Sequence, residues 1–90
     1  MSFEWDDEKR ESNLLKHRLD FISAQRMFEE GFPFIDAPSK FEGEIRWLRT
    51  GIVDGGFVTV VWTTRNDRIR LISFRRARRE ERRAYLDSHI

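Results

Sequence analysis

Two β-rich runs, EIRWLRTGIV (44–53) and FVTVVWTTR (57–65), meet across the dipeptide Asp54-Gly55. A two-residue hairpin turn needs positive φ at its central positions, and Asp-Gly supplies it at little steric cost. The middle of the chain is thus committed to an antiparallel hairpin. RND (65–67) turns the chain again, and RIRLISFR (68–75) reads as the third strand of a meander.

Ahead of the hairpin the period is helical. Asp6 or Asp7 can cap a helix running to about His17, with acids in its first turn where the dipole favours them. Asp20 caps a second helix over FISAQRMFEEG (21–31), with Phe21, Ala24 and Phe28 on one face and Gly31 as the stop. The two make an αα-hairpin. FEW (Phe3–Trp5) reads as a short strand. FPFIDAPSKFEGE (32–44) holds both prolines and reads as a short extended piece followed by a loop. RARREERRAYLDSHI (76–90) finishes the chain as a helix. The expected fold is α+β: a short N-terminal strand, two helices, a three- to four-stranded antiparallel meander and a C-terminal helix, with the helices against one sheet face. Residues 1–90 suit a single domain, long enough to bury roughly 60 % of its unfolded surface.

Cysteine is absent, which excludes a disulfide framework and a thiolate zinc site and fits a cytoplasmic protein. The start, MSFEWDDEKR, has no apolar core, so no signal peptide is expected. The longest apolar run, Val58–Trp62 broken by Thr59, is too short to span a bilayer.

Charge is unevenly spread. Residues 1–64 carry 8 Lys/Arg against 12 Asp/Glu, whereas residues 65–90 carry 9 Arg against 4 acids. Arg65–Arg83 holds all nine of those arginines and no lysine. Such a split points to a site or interface at the basic end.

Three groups of side chains are candidates for chemistry. In the first helix Lys9, Asn13 and His17 are spaced i, i+4, i+8, with Lys16 beside them, while Leu14, Leu15 and Leu19 are expected to face the core. The polar face can grip a phosphodiester, or it can be a plain solvated face. No second histidine or carboxylate stands at ligand spacing to His17, so neither metal nor cofactor is expected. In the last strand, alternation puts Arg68, Arg70, Ile72, Phe74 and Arg76 on one face and Ile69, Leu71, Ser73 and Arg75 on the other. Arg70 and Arg75, at the rim, present planar forks suited to phosphate, or else pair with the acids of residues 1–64. In the final helix Ala77, Glu81, Ala84 and Tyr85 share the least polar face. A carboxylate in that seam pairs with a strand arginine or acts as a general base, and pairing is the expected outcome. Trp47 and Trp62 are expected in the core. Trp5 and Tyr85 are open to base stacking or to packing.

These residues fall into a familiar pattern. Phe3, Trp5, Asp6, Lys9, Asn13, Lys16, His17, Leu19 and Phe21 match in order the opening motif of the BrnT family, and Arg70, Leu71, Ile72, Ser73, Arg75, Ala77, Glu81, Arg82 and Tyr85 match its closing motif. The chain resembles BrnT proteins over about residues 3–86, with Arg65 in the family's post-strand arginine position. The departures are Phe74, where a small residue is usual, Trp62 in place of a common Tyr, and the variable segment PSKFEG (38–43).

The resemblance implies a RelE-like fold and a ribonuclease toxin of a type II toxin–antitoxin pair that stops translation. It also implies a BrnA-like antitoxin whose ribbon-helix-helix region binds operator DNA, assembled with the toxin as a heterotetramer. The expected reaction is metal-independent attack of the RNA 2′-hydroxyl on the adjacent phosphorus. On this reading the catalytic set is His17 as acid or base, Lys9, Arg65, Arg70 and Arg75 on the phosphate, and Glu81 orienting an arginine. Asn13, Lys16, Ser73, Arg82 and Tyr85 complete the RNA-binding set. Two rival readings stand beside it: a non-catalytic nucleic-acid-binding module, and an arginine-rich end that serves mainly as the antitoxin interface.

Overall fold

A computed structural model describes residues 1–89, so Ile90, the last residue of the expected C-terminal helix, lies outside the described residues. The chain runs β1 (Phe3–Glu4), α1 (Asp7–His17), α2 (Phe21–Ala24), α3 (Arg26–Glu29), β2 (Phe34–Phe41), β3 (Glu44–Val53), β4 (Gly56–Arg65), β5 (Arg68–Arg76) and α4 (Arg79–His89). The strands form one mixed five-stranded sheet in the order β1-β5-β4-β3-β2. The α+β class and the C-terminal helix are as expected. The sheet is larger, and β1 joins it parallel to β5 through Phe3–Ile69 and Glu4–Arg70.

Three tight turns of one kind build the meander. Asp54 and Gly55 both have positive φ, as the hairpin reading requires, and so do Asn66 and Asp67. Glu42 and Gly43 repeat the device. Residues 34–41, expected to be largely loop, are therefore an edge strand paired with β3. Pro38 had argued against a strand there. At an edge, its missing N–H costs no ladder bond.

The second expected helix divides at Gln25. Ser23 N–H donates to Asp20 C=O and Phe28 N–H to Gln25 C=O, both three-residue closures. The tighter winding lines up residues three apart, so Phe21, Ala24 and Met27 all point at the sheet. They pack with Val53, Val58, Val60, Leu71 and Phe74 to form the core. Gly51 admits this packing, since a Cβ there would lie 3.0 Å from Met27 Cε and from Pro33 O.

Helices cover both faces, not one. On the face opposite the core, Thr50 and Thr59 share a 2.9 Å hydrogen bond, and α4 lies over them through Tyr85 on Phe57 and Glu81 on Thr59. Arg49 fastens β3 to its surroundings: it pairs with Asp36 at 2.9 Å, donates to Met27 O, and lies over the rings of Phe34 and Phe28.

The orientation of α1 also differs from the sequence reading. Leu14 and Leu15 do not face the core: Leu15 is 81 % exposed, and Asn13 is the residue buried, at 8 %. The cause is the short β1, which leaves the outer edge of β5 open beyond Arg70. There the Asn13 amide acts as a surrogate strand. Its Oδ1 accepts from Phe74 N–H at 3.1 Å, and its Nδ2 donates to Phe74 O at 2.8 Å and to Leu19 O at 2.9 Å. Replacing Asn13 with Ala orphans the buried backbone of Phe74. The expected loss is about 3 kcal/mol, read in urea as a lower midpoint at unchanged slope; a loss below about 1 kcal/mol would contradict this role for the amide.

Candidate functional site

The Asn13 clasp sets α1 along the outer edge of β5, with the polar face of the helix beside it. Lys9, Ser12, Asn13, Lys16 and His17 from α1, with Ile72 and Ser73 from β5, line one shallow depression of ≈ 240 Å³. Ser73 Oγ donates to Asn13 Oδ1 at 3.3 Å. The spacing noted in the sequence thus converges on a concave surface. Ser12 and Ile72 were not anticipated: Ile72 lies there because of a feature that residue types alone do not announce.

That feature is a β-bulge. The register passes from Val61–Ser73 to Trp62–Leu71, which leaves Ile72 as an extra residue. Strict alternation across β5 therefore fails. Leu71 and Phe74 turn to the core, while Arg70, Ser73 and Arg75, opposite Thr63, Val61 and Thr59, share the other face. Phe74, the residue that departs from the BrnT pattern, is 1 % exposed and fills the core rather than the depression.

Arg75 is held by α4. Its Nη1 and Nη2 donate to Glu81 Oε1 and Oε2 at 2.7 and 2.9 Å, a two-pronged pair. Glu81 also accepts from Thr59 Oγ1 at 3.0 Å and from the Arg78 N–H at 2.7 Å. The last contact is half of a capping box, which explains why α4 starts at Arg79 and not at Arg76. Burial alone would raise the Glu81 carboxyl, and it is the largest single influence. The Arg75, Arg78 and Thr59 donors together overcome it and bring the group from 4.5 down to about 2. A carboxylate so engaged orients Arg75 and is a poor proton acceptor at neutral pH.

His17, unlike the paired groups, is disfavoured in its charged form. Burial, then the charges of Lys16 and Arg75, lower it below its ordinary 6.5. Both causes favour the neutral imidazole over the charged one.

The other candidates lie apart. Arg70 pairs with Glu4 at 2.6 Å. Arg65 faces Arg68 at the far end of the β4–β5 ladder, six residues from the Thr59–Arg75 pair, or about 20 Å along the strands. Arg82 lines a separate concavity with Phe57, Arg79, Arg83, Leu86 and Asp87. Tyr85 is buried, its ring against Phe57 and stacked on His89 at 4.3 Å. Trp5 packs edge-on to Phe21. Of the nine arginines in Arg65–Arg83, Arg70 and Arg75 alone form ion pairs among the described residues, so most of the positive charge stays uncompensated.

A family model described as "Ribonuclease toxin, BrnT, of type II toxin-antitoxin system" matches residues 5–81. The chain belongs to the BrnT family. No curated protein matches it. The match covers α1, the whole meander and α4 as far as Glu81. Both sides of the depression and the Arg75–Glu81 pair thus fall inside the BrnT region, whereas Arg82 and Tyr85 fall beyond it. Membership makes the chain a ribonuclease toxin of the type II class, with an antitoxin as its partner. No helix among the described residues is long and apolar enough to cross a membrane.

The Glu81 anchor has a pH signature. Its folded-state carboxyl is depressed, so the stability it contributes is present above pH 4.5 and is lost as pH falls toward about 2. The variant Glu81→Gln strands Arg75 and should be less stable at pH 7 by about 3 kcal/mol. It should also lose the part of the acid-unfolding slope that wild type shows over that window. Superimposable acid-unfolding curves would contradict this.

Proposed function

We propose that this BrnT-family chain cleaves RNA without a metal ion, by attack of a ribose 2′-hydroxyl on its own 3′-phosphorus in the α1–β5 depression. The products are a 2′,3′-cyclic phosphate and a 5′-hydroxyl. The observation that carries the reading is the placement of His17, whose neutral form burial favours, in one concavity with the Lys9 and Lys16 ammonium groups. A neutral imidazole can take the 2′-oxygen proton, and either ammonium group can give one to the leaving 5′-oxygen. Lys9 and Lys16 also stabilise charge as it builds on the phosphorane, with the fixed Arg75 guanidinium as support.

In this reading Asn13 and Glu81 are positioning residues. Ser73 lines the depression and can turn its hydroxyl from Asn13 Oδ1 to a phosphate oxygen. Arg70 and Arg65, farther along the sheet, serve flanking phosphates, and Arg82 and Tyr85 belong to the outer surface over which RNA enters. The single α+β unit, with its antiparallel meander and flanking helices, supports a RelE-like assignment. The physiological outcome is arrest of translation in the cytoplasm. It is relieved by a BrnA-like antitoxin that carries the ribbon-helix-helix operator-binding region and holds the toxin in a heterotetramer.

The test is cleavage of end-labelled RNA in excess chelator. Wild type should cut, and His17→Ala should be slower by about 100-fold or more. The wild-type rate should fall on the acid side with a midpoint below 6.5, a limb that His17→Ala lacks. Wild-type rates in His17→Ala, or cleavage that stops in chelator, would overturn the proposal.

A further inference from the structure

Around the C-terminal end of α1 lies a second concavity, separate from the depression that holds His17. Leu14, Leu19, Val53 and Val58 give it an apolar lining, and Arg18 and Arg76 stand among its walls; its volume is ≈ 280 Å³. Its two acids are already engaged: Asp20 is held by Arg10 at 2.8 Å and Asp54 by Arg26 at 3.0 Å. Arg18 and Arg76 are exposed and form no ion pair among the described residues. Gly56 leaves room for Arg76, since a Cβ there would meet its Nη1 at 2.8 Å. The cleft thus combines an apolar floor with two uncompensated guanidinium groups.

Its position relates it to the proposed site. Arg18 follows His17 in the chain, and Arg76 follows Arg75. Each pair of neighbours sends one member to the depression or its support and the next to the cleft. The cleft and the depression thus share the C-terminal end of α1, where His17 lines one and Arg18 the other.

The chemistry of the floor decides between occupants. Of its apolar lining only Leu14 and Leu19 reach the surface; Val53, Val58 and Phe74, the one aromatic residue, are buried. A nucleobase finds no π-face there to stack on. An aliphatic side chain does find a matching surface. Leu14 is 41 % exposed within the cleft, and Leu15 and Ile22 are exposed on the adjoining helices. Leu14, uncovered between two unpaired guanidinium groups, suits an amphipathic protein segment.

We propose that this cleft receives the antitoxin. The segment it fits is amphipathic, with one large aliphatic side chain on Leu14 and Leu19 and two carboxylates on Arg18 and Arg76. Seated there, the segment blocks approach to His17, which couples binding to neutralisation. The proposal rests on the chain's membership of a toxin–antitoxin family and deepens the proposed function by naming how the site is silenced.

The test compares wild type with the double variant Arg18→Glu/Arg76→Glu in two assays: affinity for the antitoxin of its own operon, and cleavage of a naked labelled RNA by the free toxin. A second variant, Arg18→Ala/Arg76→Ala, guards against a folding effect, and thermal melts of both should match wild type. Antitoxin binding should weaken by about 100-fold for the Glu pair and less for the Ala pair. It should recover when acidic residues of the antitoxin are changed to lysine. RNA cleavage should be unchanged. Undiminished antitoxin affinity in a folded Glu variant would overturn the proposal. So would loss of RNA cleavage with antitoxin binding intact, which would make the cleft an RNA subsite. If wild type cuts no RNA but the antitoxin still requires Arg18 and Arg76, the docking inference stands and the cleavage mechanism falls.

Discussion

The structure depends on one side-chain amide. The Asn13 carboxamide makes the two hydrogen bonds that a neighbouring strand would have made to Phe74, and a third to Leu19 O. A two-residue β1 covers only the start of β5, so without Asn13 the sheet would present buried, unpaired backbone beside its core. Satisfying that backbone with a helix rather than a strand has a consequence for function. A strand would have carried its side chains above and below the sheet. A helix carries Lys9, Lys16 and His17 along the edge, where they form a concave wall with β5. The same contact that closes the fold builds the candidate site.

A second constraint comes from the opposite face. The Thr50–Thr59–Glu81–Arg75 chain links β3, β4, β5 and α4 through side chains that are almost wholly withdrawn from water. A guanidinium in such a place has a fixed orientation, and its charge is felt at His17. The bulge at Ile72 makes this possible, because it brings Arg70, Ser73 and Arg75 to one face of β5 while Leu71 and Phe74 stay in the core. Arg75 is therefore at once a structural tie and an electrostatic neighbour of the proposed base.

Much of this was legible in the residues, and the failures have physical causes. Asp54-Gly55 announced its hairpin, and Asp6 and Asp20 announced their helices, because turn and cap chemistry is local. The pairing of Glu81 with a strand arginine followed from the cost of a lone carboxylate in a packed seam. The bulge did not follow, since nothing in RIRLISFR marks where an extra residue will be absorbed. Residues 34–41 do not announce a strand, because Pro38 argues against one unless its N–H side is unpaired, and edge status is a global property. The inward turn of Asn13 was equally hidden. Leu14 and Leu15 are the apolar residues of α1, and it takes knowledge of the open β5 edge to see why an amide displaces them. Arg65 and His17 match the same family pattern, but the β4–β5 register sets Arg65 four residues along the ladder from the Val61–Ser73 pair beside the depression.

The central claim is that RNA binds across the α1–β5 edge with its reactive phosphate at His17. Amide and imidazole NMR shifts, followed while a short RNA made uncleavable by 2′-deoxy substitution is titrated in, test it directly. The largest changes are expected at Lys9, Lys16, His17 and Ser73, including the His17 ring. Changes confined to the Arg65–Arg68 turn or to Arg78–Arg83, with the His17 ring unmoved, would contradict the account.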